Sequence, residues 1–121
     1  MIEPPVFFRK DGKLNRMTLE HVVILEAAEN YVKFTRNSDY FMVRTTLDGA
    51  LKLLPPNKFV QVHRSYAVAL KAINVIEKDH VLIAAEVEVS VPITKIFYEA
   101  LKKRIVIVEV KNDDGTGRGA E

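Results

Sequence analysis

A polar segment, Val62-His63-Arg64-Ser65-Tyr66, interrupts an apolar stretch of the sequence and is the first place where chemistry is expected. A guanidinium can grip the O6 and N7 atoms of guanine with two hydrogen bonds, and an imidazole can donate to a phosphate or a base edge. Strand parity assigns Arg64 to the core face, where an unpaired charge is too costly. The chain therefore either turns or bulges here and exposes His63 and Arg64, or Arg64 has a carboxylate partner in a structural ion pair.

Two other segments carry side chains suited to nucleic acid. Asn30, Tyr31 and Lys33 offer an amide, a phenol and an ammonium at a predicted strand start, which suits groove and phosphate contacts, although an ordinary turn explains them as well. Thr94 and Lys95 end a predicted strand and open a predicted helix. Thr94 can cap that helix while its free amides and Lys95 face a phosphate, but capping alone is the more common explanation.

The residue types argue against catalysis and against a metal or cofactor site. Cysteine is absent, which excludes disulfides, thiolate nucleophiles and sulfur-ligated zinc. The sequence has no Gly-rich phosphate loop, and His21 and His80 stand alone rather than at metal-ligand spacing. A hydrolytic pair of His63 and Ser65 would need an orienting acid and an oxyanion site, and neither can be located. We therefore expect a protein that is not an enzyme and that holds no cofactor and no metal.

Length and composition predict one folded, cytoplasmic domain. The chain has 121 residues, of which 48% are hydrophobic and 28% charged, and this is ordinary globular usage. No apolar run approaches the roughly 20 residues that cross a bilayer, and the first residues lack the pattern of a signal peptide. The net charge of +2 is too small to identify a partner. We assign residues 1–5 to a linker, 6–110 to the domain and 111–121, which contain three glycines, to a disordered tail.

The elements that must position these residues are mainly strands. Asp11-Gly12 predicts a tight hairpin turn between two short strands. Helical spacing of apolar residues predicts two short helices, at about 46–54 and about 94–104. The segment 105–110 fits either a longer helix or one more strand. The predicted strands are Val6–Arg9, Leu14–Met17, Val22–Leu25, Tyr31–Arg36, Tyr40–Arg44, Phe59–Val62, Ser65–Leu70, Ile73–Glu77, His80–Ala84 and Glu86–Val91.

Several of these segments, in this order, resemble the LytTR family, the DNA-binding output domains of many bacterial response regulators. The resemblance runs from about Val6 to Arg104. The combination of Glu-x-x-x-Asn-Tyr-Val with His-Arg-Ser-Tyr is its most specific part. The segments that carry it are Phe7–Lys13, Ile24–Ala27, Glu29–Val32, Val43–Leu47, Phe59–Tyr66 and Val91–Lys95.

The resemblance implies an elongated, antiparallel β-fold whose loops, rather than a recognition helix, enter successive major grooves of double-stranded DNA. Carried over by motif, the DNA-facing positions are Asn30, Tyr31, His63, Arg64 and the segment 94–96. The eight predicted DNA-binding residues are Asn30, Tyr31, Lys33, His63, Arg64, Ser65, Thr94 and Lys95. This chain departs from the family where Lys95 stands beside Ile96, because the family often has a serine followed by a basic pair there.

The resemblance also implies partners beyond DNA itself. Family targets are typically paired direct repeats, so we expect a dimer on DNA, with a receiver domain or a sensor kinase pathway acting upstream. The chain is either an excised output domain or a stand-alone regulator. The rival hypothesis is a β-scaffold that binds another protein and has no salt-dependent affinity for DNA, with His63 and Arg64 as a structural pair.

Overall fold

The computed structural model of the protein describes residues 4–110. These residues form ten strands paired in antiparallel fashion, two α-helices and two single turns of 3₁₀ helix, which confirms the predicted mainly β fold with two short helices. The predicted tail at 111–121 and residues 1–3 of the predicted linker lie outside the described residues. The strands are Phe7–Lys10 (β1), Lys13–Arg16 (β2), Ile24–Ala28 (β3), Tyr31–Thr35 (β4), Tyr40–Arg44 (β5), Phe59–His63 (β6), Tyr66–Ala69 (β7), Ile73–Ile76 (β8), His80–Ile83 (β9) and Val89–Pro92 (β10).

The first hairpin, β1–β2, turns where Asp11-Gly12 predicted. Lys10 pairs with Lys13, so Asp11 and Gly12 form a two-residue turn, with φ angles of 54° and 74°. Two positive φ angles are the signature of a type I′ turn, whose twist matches that of the strands it joins.

The five-stranded sheet has the order β5-β4-β3-β7-β6. Its central strand, β3, pairs with β4 as far as Ala28 opposite Tyr31, and with β7 as far as Glu26 opposite Tyr66. The hairpins β3–β4 and β6–β7 therefore lie side by side, and their turns lie at the same end of the sheet. Val32 and Phe34 of β4 are buried, as their alternation predicted.

The hydrophobic core draws on both larger sheets and both helices. Among its most completely buried side chains are Phe34, Leu25, Ile83 and Leu101. No polar or charged side chain is buried within residues 4–110. The charged groups of the described part of the chain are therefore at least partly open to solvent, where they can meet a ligand.

The helices lie close to their predicted positions. The first, Leu47–Leu53 (α1), begins after Thr46, whose Oγ1 accepts a hydrogen bond of 2.9 Å from the amide of Gly49. The second, Lys95–Lys102 (α2), begins after Thr94, which has an extended backbone but makes no side-chain capping bond. Thr94 therefore occupies the expected cap position, but the expectation that its side chain caps the helix is wrong.

The three-stranded sheet has the order β10-β9-β8, and its last strand is shorter than predicted. The alternation from Glu86 predicted a strand from that residue onward, whereas β10 begins at Val89. Ile83 already pairs with Val89, so the residues between them form the connection that two antiparallel strands require. Val87 is 74% exposed there, because the alternating pattern has no core to face.

Other predicted strand ends also shift. The strand predicted at Val22–Leu25 begins later, at Ile24, because the amide of Val22 closes the preceding 3₁₀ turn onto the Leu19 carbonyl at 3.1 Å. The strand also continues further than predicted, to Ala28. Residues 105–110, left open by the sequence, have no regular secondary structure. Neither described helix is long and apolar enough to cross a membrane.

The two helix starts give a paired test of stability. Thr46→Ala removes the capping acceptor of Gly49, and we expect it to lower the free energy of unfolding by about 1 kcal/mol. Thr94→Ala removes no such bond, and we expect a change within about 0.5 kcal/mol. Urea unfolding of both variants measures the difference. Equal losses would contradict the assignment of a cap to Thr46 alone.

Candidate nucleic-acid interface

The turn between β3 and β4 presents Asn30. Ala28 pairs with Tyr31, so Glu29 and Asn30 are the two turn residues, and both are exposed. Glu29 has a φ of 58°, a left-handed conformation that a glutamate adopts at a cost. Strain of this kind occurs preferentially at binding sites, and here it shapes the turn that carries Asn30.

Tyr31 lies beside an arginine that the sequence analysis did not select. Arg44 of β5 is directly opposite Tyr31, and its guanidinium carbon lies 5.8 Å from the centroid of the phenol ring. Tyr31 is 40% exposed and Arg44 is exposed, so both can contact a ligand at this end of the sheet. The antiparallel register after the Asn37-Ser38-Asp39 turn was the signal that could have identified Arg44.

Lys33 is set back from this end. Its ammonium lies 4.4 Å from the centroid of the Tyr40 ring. Tyr40 pairs with Thr35 at the opposite end of β4, so this cation–π contact draws the Lys33 charge away from Asn30. Of the site residues predicted from the sequence, Lys33 is the one whose charged group is drawn away from the others.

The turn between β6 and β7 resolves the parity conflict at Arg64. The pairing shifts register between Gln61 and His63, a bulge that contains the buried Val62. His63 then pairs with Tyr66, and Arg64 and Ser65 form the turn. Arg64 is exposed and forms no ion pair within residues 4–110, so the alternative of a structural ion pair is wrong for this part of the chain.

Three hydrogen bonds hold this turn in one conformation. The amide of Ser65 donates to Nδ1 of His63 at 3.1 Å, and the Nε2 amide of Gln61 donates to the His63 carbonyl at 3.1 Å. The Ser65 carbonyl accepts from the amide of Ala27 on β3 at 2.8 Å. The last bond ties the turn to the neighbouring hairpin. Arg64 therefore projects from a prearranged backbone, which lowers the entropy lost on binding.

His63 has a structural part in this turn. Because its Nδ1 is the acceptor of the Ser65 amide, the neutral ring carries its proton on Nε2, which is left as a single donor. The ring also lies edge-on to Tyr66, with centroids 5.5 Å apart. Burial raises the pKa of the Tyr66 phenol above its ordinary value of 10.0, and the charge of Glu26 and a 3.4 Å hydrogen bond to it add to that rise.

The start of α2 lies at the same end of the sheet. The amide of Thr94 donates to the Val62 carbonyl, near the end of β6, at 3.0 Å. Beyond the other end of α2, the Arg104 guanidinium donates to the carbonyls of Phe59 and Pro56, at and before the start of β6. The helix therefore runs antiparallel to β6, and its amino-terminal end points the same way as the Arg64 turn.

That helix start is equipped to attract an anion. Because the Thr94 side chain makes no capping bond, the first amides of α2 keep their unpaired hydrogens, and the helix dipole adds a partial positive charge. Thr94, Lys95 and Ile96 are exposed. A phosphate fits this combination of amides, hydroxyl and ammonium.

The three segments form one surface, which we name the loop row: the Glu29–Asn30 turn, the Arg64–Ser65 turn and the 94–96 start of α2. The two turns are about two strand spacings, or about 10 Å, apart, and the start of α2 lies next to the end of β6. Arg44, Arg64 and Lys95 supply exposed positive charge along it, and Glu29 is an exposed negative charge within it. Seven of the eight predicted site residues, all except Lys33, lie in or next to this row.

One cluster of metal-ligating types borders the row. Glu77, Asp79 and His80 offer ligand atoms within 4.8 Å of one another. His80 already contacts both carboxylates, at 2.7 Å from Nδ1 to Asp79 and 3.5 Å from Nε2 to Glu77. The Asp79 carbonyl accepts from the amide of Ile93, just before α2. This cluster is a turn in which His80 contacts two carboxylates, and it brings negative charge near the third segment of the row.

Known proteins share this sequence pattern and this fold. The family model described as LytTr DNA-binding domain matches residues 12–114. Among solved structures, the fold matches the LytTr DNA-binding domain of a protein described as a methyl-accepting/DNA response regulator from Bacillus cereus, with a TM-score of 0.66. That match has 19% sequence identity over 84% of this chain and 96% of the other, which establishes likeness of fold. A search of curated protein sequences found no match.

The hydrogen bond from the Ser65 amide to His63 predicts how substitutions at His63 behave. In His63→Leu the amide loses its acceptor, and we expect its hydrogen exchange to accelerate by about fivefold, the factor that corresponds to about 1 kcal/mol. In His63→Asn the side-chain oxygen can replace Nδ1, as in an Asx turn, and protection should be retained. Amide exchange followed by NMR measures both. Equal protection in the two variants would show that the His63 side chain does not hold the Ser65 amide.

Proposed function

The chain belongs to the LytTr family of DNA-binding domains, and we propose that it binds specific double-stranded DNA through the loop row, as the output domain of a bacterial transcription regulator. The observation that carries this proposal is the convergence of the three segments at one end of the sheet, since Ala27 bonds Ser65 and Thr94 bonds Val62. A single exposed arginine would be unremarkable. A row of donors on a fixed backbone is what a duplex requires.

Arg64 is proposed as the base-reading residue. It is exposed at the tip of a turn held by three hydrogen bonds, and its guanidinium has no ion-pair partner within residues 4–110 to lose on binding. A free guanidinium at a protruding tip suits bidentate contact with the O6 and N7 atoms of guanine. His63, through Nε2, and the Ser65 hydroxyl would supply adjacent donors to phosphate or to a base edge.

The outer segments are proposed to fix the register on the duplex. Asn30 is a candidate for adenine, which an amide can contact with two hydrogen bonds, while Tyr31, Arg44 and Lys33 suit the backbone beside it. At the other end of the row, the free amides of α2 and the side chains of Thr94 and Lys95 suit one phosphate. Phosphate contacts at both ends would orient Arg64 over its base pair.

The loop row offers tips of short turns to DNA. A major groove is about 12 Å wide, so a two-residue turn can enter it. Insertion of the outer loops into successive major grooves, as the family resemblance implies, is the arrangement that we propose. Loop tips, rather than a helix laid in the groove, would then make the contacts.

The need for selectivity supports binding as two copies on paired direct repeats, which the family resemblance implies. A site read by three short segments would contain only a few base pairs and would recur too often to mark one promoter among about 10⁶ competing sites. A second copy on a second repeat would supply the missing selectivity. The structural relative is described as a response regulator, which supports a receiver domain or a sensor kinase pathway upstream of this chain.

Arg64→Ala tests base reading. We expect a loss of about 1–3 kcal/mol in binding free energy on the preferred site, selected from random duplexes, and a much smaller loss on random DNA. Arg36→Ala is the matched control, because it removes the same charge at the opposite end of the sheet, where Arg36 pairs with Asp39. Fluorescence anisotropy titrations measure both. Equal losses on the two DNAs would make Arg64 a phosphate contact.

Lys95→Ala tests phosphate contact and the proposed function together. Wild-type affinity should fall steeply with salt, because bound cations release counterions from DNA. Lys95→Ala should weaken binding to all sequences about equally and reduce the slope of log affinity against log salt by about one. Lys71→Ala, beyond the far end of β7, should leave the slope unchanged. A wild-type protein without salt-dependent affinity would instead indicate a protein-binding scaffold.

A further inference from the structure

Ile96 is an apolar side chain placed among polar groups at the start of α2. It is 74% exposed. The helix packs through Leu101, which is fully buried, and through the half-buried Phe97 and Tyr98. Ile96 lies off that packed face, on the side that carries Glu99 and Lys103. The core therefore does not explain why this position is isoleucine.

The direction of the helix indicates which surface the Ile96 side chain faces. Side chains of an α-helix tilt toward its amino-terminal end, so Ile96, in the first turn, projects toward the loop row. Thr94, two residues earlier, bonds the Val62 carbonyl two residues before Arg64. Ile96 is thus an apolar group carried to the same surface as the donors of Arg64 and Lys95.

The major groove offers one common apolar feature, the C5-methyl group of thymine, and aliphatic side chains contact it. The exposed neighbours of Ile96 along α2 are Lys95, Glu99 and Ala100, with Lys103 just beyond the helix. Only the small Ala100 among them is apolar, so the helix does not extend Ile96 into an apolar patch of the size that binds another protein. A single isoleucine on a surface of donors instead matches a single methyl group among hydrogen-bonding base edges.

We propose that Ile96 is a specificity-determining residue that reads a thymine through its C5-methyl group. This inference rests on the proposed function, because it requires the loop row to face DNA. It adds that the third segment selects a thymine by apolar contact while Lys95 holds the backbone beside it. The preferred site should accordingly contain a thymine whose methyl group, and not only its pairing, contributes to affinity.

The experiment removes the methyl group from the DNA and the aliphatic group from the protein. In the preferred site, selected from random duplexes, each thymine is replaced singly by deoxyuridine, which pairs identically but lacks the C5-methyl. We expect one position where this substitution weakens wild-type binding about threefold to fivefold, as burial of one methyl group predicts. Ile96→Ala should weaken binding to the unmodified site by a similar factor and should be insensitive to deoxyuridine at that position.

Two further variants make the result specific to Ile96. Ile96→Val keeps an aliphatic side chain and should retain the methyl dependence. Val87→Ala changes an equally exposed residue, 74%, in the β9–β10 connection, and should retain it as well. Because Ile96 is exposed, Ile96→Ala should unfold at the wild-type urea concentration.

The outcomes separate the two proposals. Salt-dependent binding without any methyl-dependent thymine, or with a dependence that survives Ile96→Ala, overturns the role of Ile96 and leaves DNA binding standing. Absence of salt-dependent binding by the wild-type chain overturns both. Loss of the dependence in Ile96→Ala and its retention in Ile96→Val and Val87→Ala support the proposal.

Discussion

The pairing of β3 with β7 is the constraint on which the candidate interface depends. It joins residues about 40 positions apart, and it brings the Asn30 and Arg64 turns to one end of one sheet. The bond from the Ala27 amide to the Ser65 carbonyl extends this pairing into the turn itself. Both faces of β7 are buried, so a slip of one residue would force Val68 into the space that the smaller Ala67 fills. The core therefore fixes the geometry of the surface.

Short-range interactions within the turns shape the interface on this sheet. The His63 ring accepts the Ser65 amide, Gln61 bonds the His63 carbonyl, and Glu29 holds a left-handed conformation. Each of these features fixes a backbone segment that carries an exposed polar side chain. A ligand then meets donors that are already in place, which reduces the entropy that binding removes. In the proposed complex His63 acts chiefly on the conformation of the Arg64 turn.

The second helix contributes its end rather than its face. It runs antiparallel to β6 and is held there by Thr94 at one end and Arg104 at the other. Its packed side chains bind it to the core, so its first turn is what remains for a ligand. The turn of Glu77, Asp79 and His80 beside it adds negative charge from its two carboxylates. The third segment of the loop row is therefore more weakly positive than Lys95 alone suggests, and the exposed Ile96 gives it a different chemistry.

The sequence by itself determined the local features, because they depend on residues close together in the chain. Asp11-Gly12 required a tight turn, Val32 and Phe34 required a buried strand face, and the helical periods required α1 and α2. The motifs also identified the residues of the three segments. Only the tertiary structure decided what depends on partners distant in sequence. The bulge at Val62 exposed Arg64, the register of β5 brought Arg44 to Tyr31, and the Tyr40 ring drew Lys33 away. Strand ends shifted for the same reason, since a strand lasts only as long as its neighbour offers hydrogen bonds, and parity along one segment cannot show where that neighbour stops.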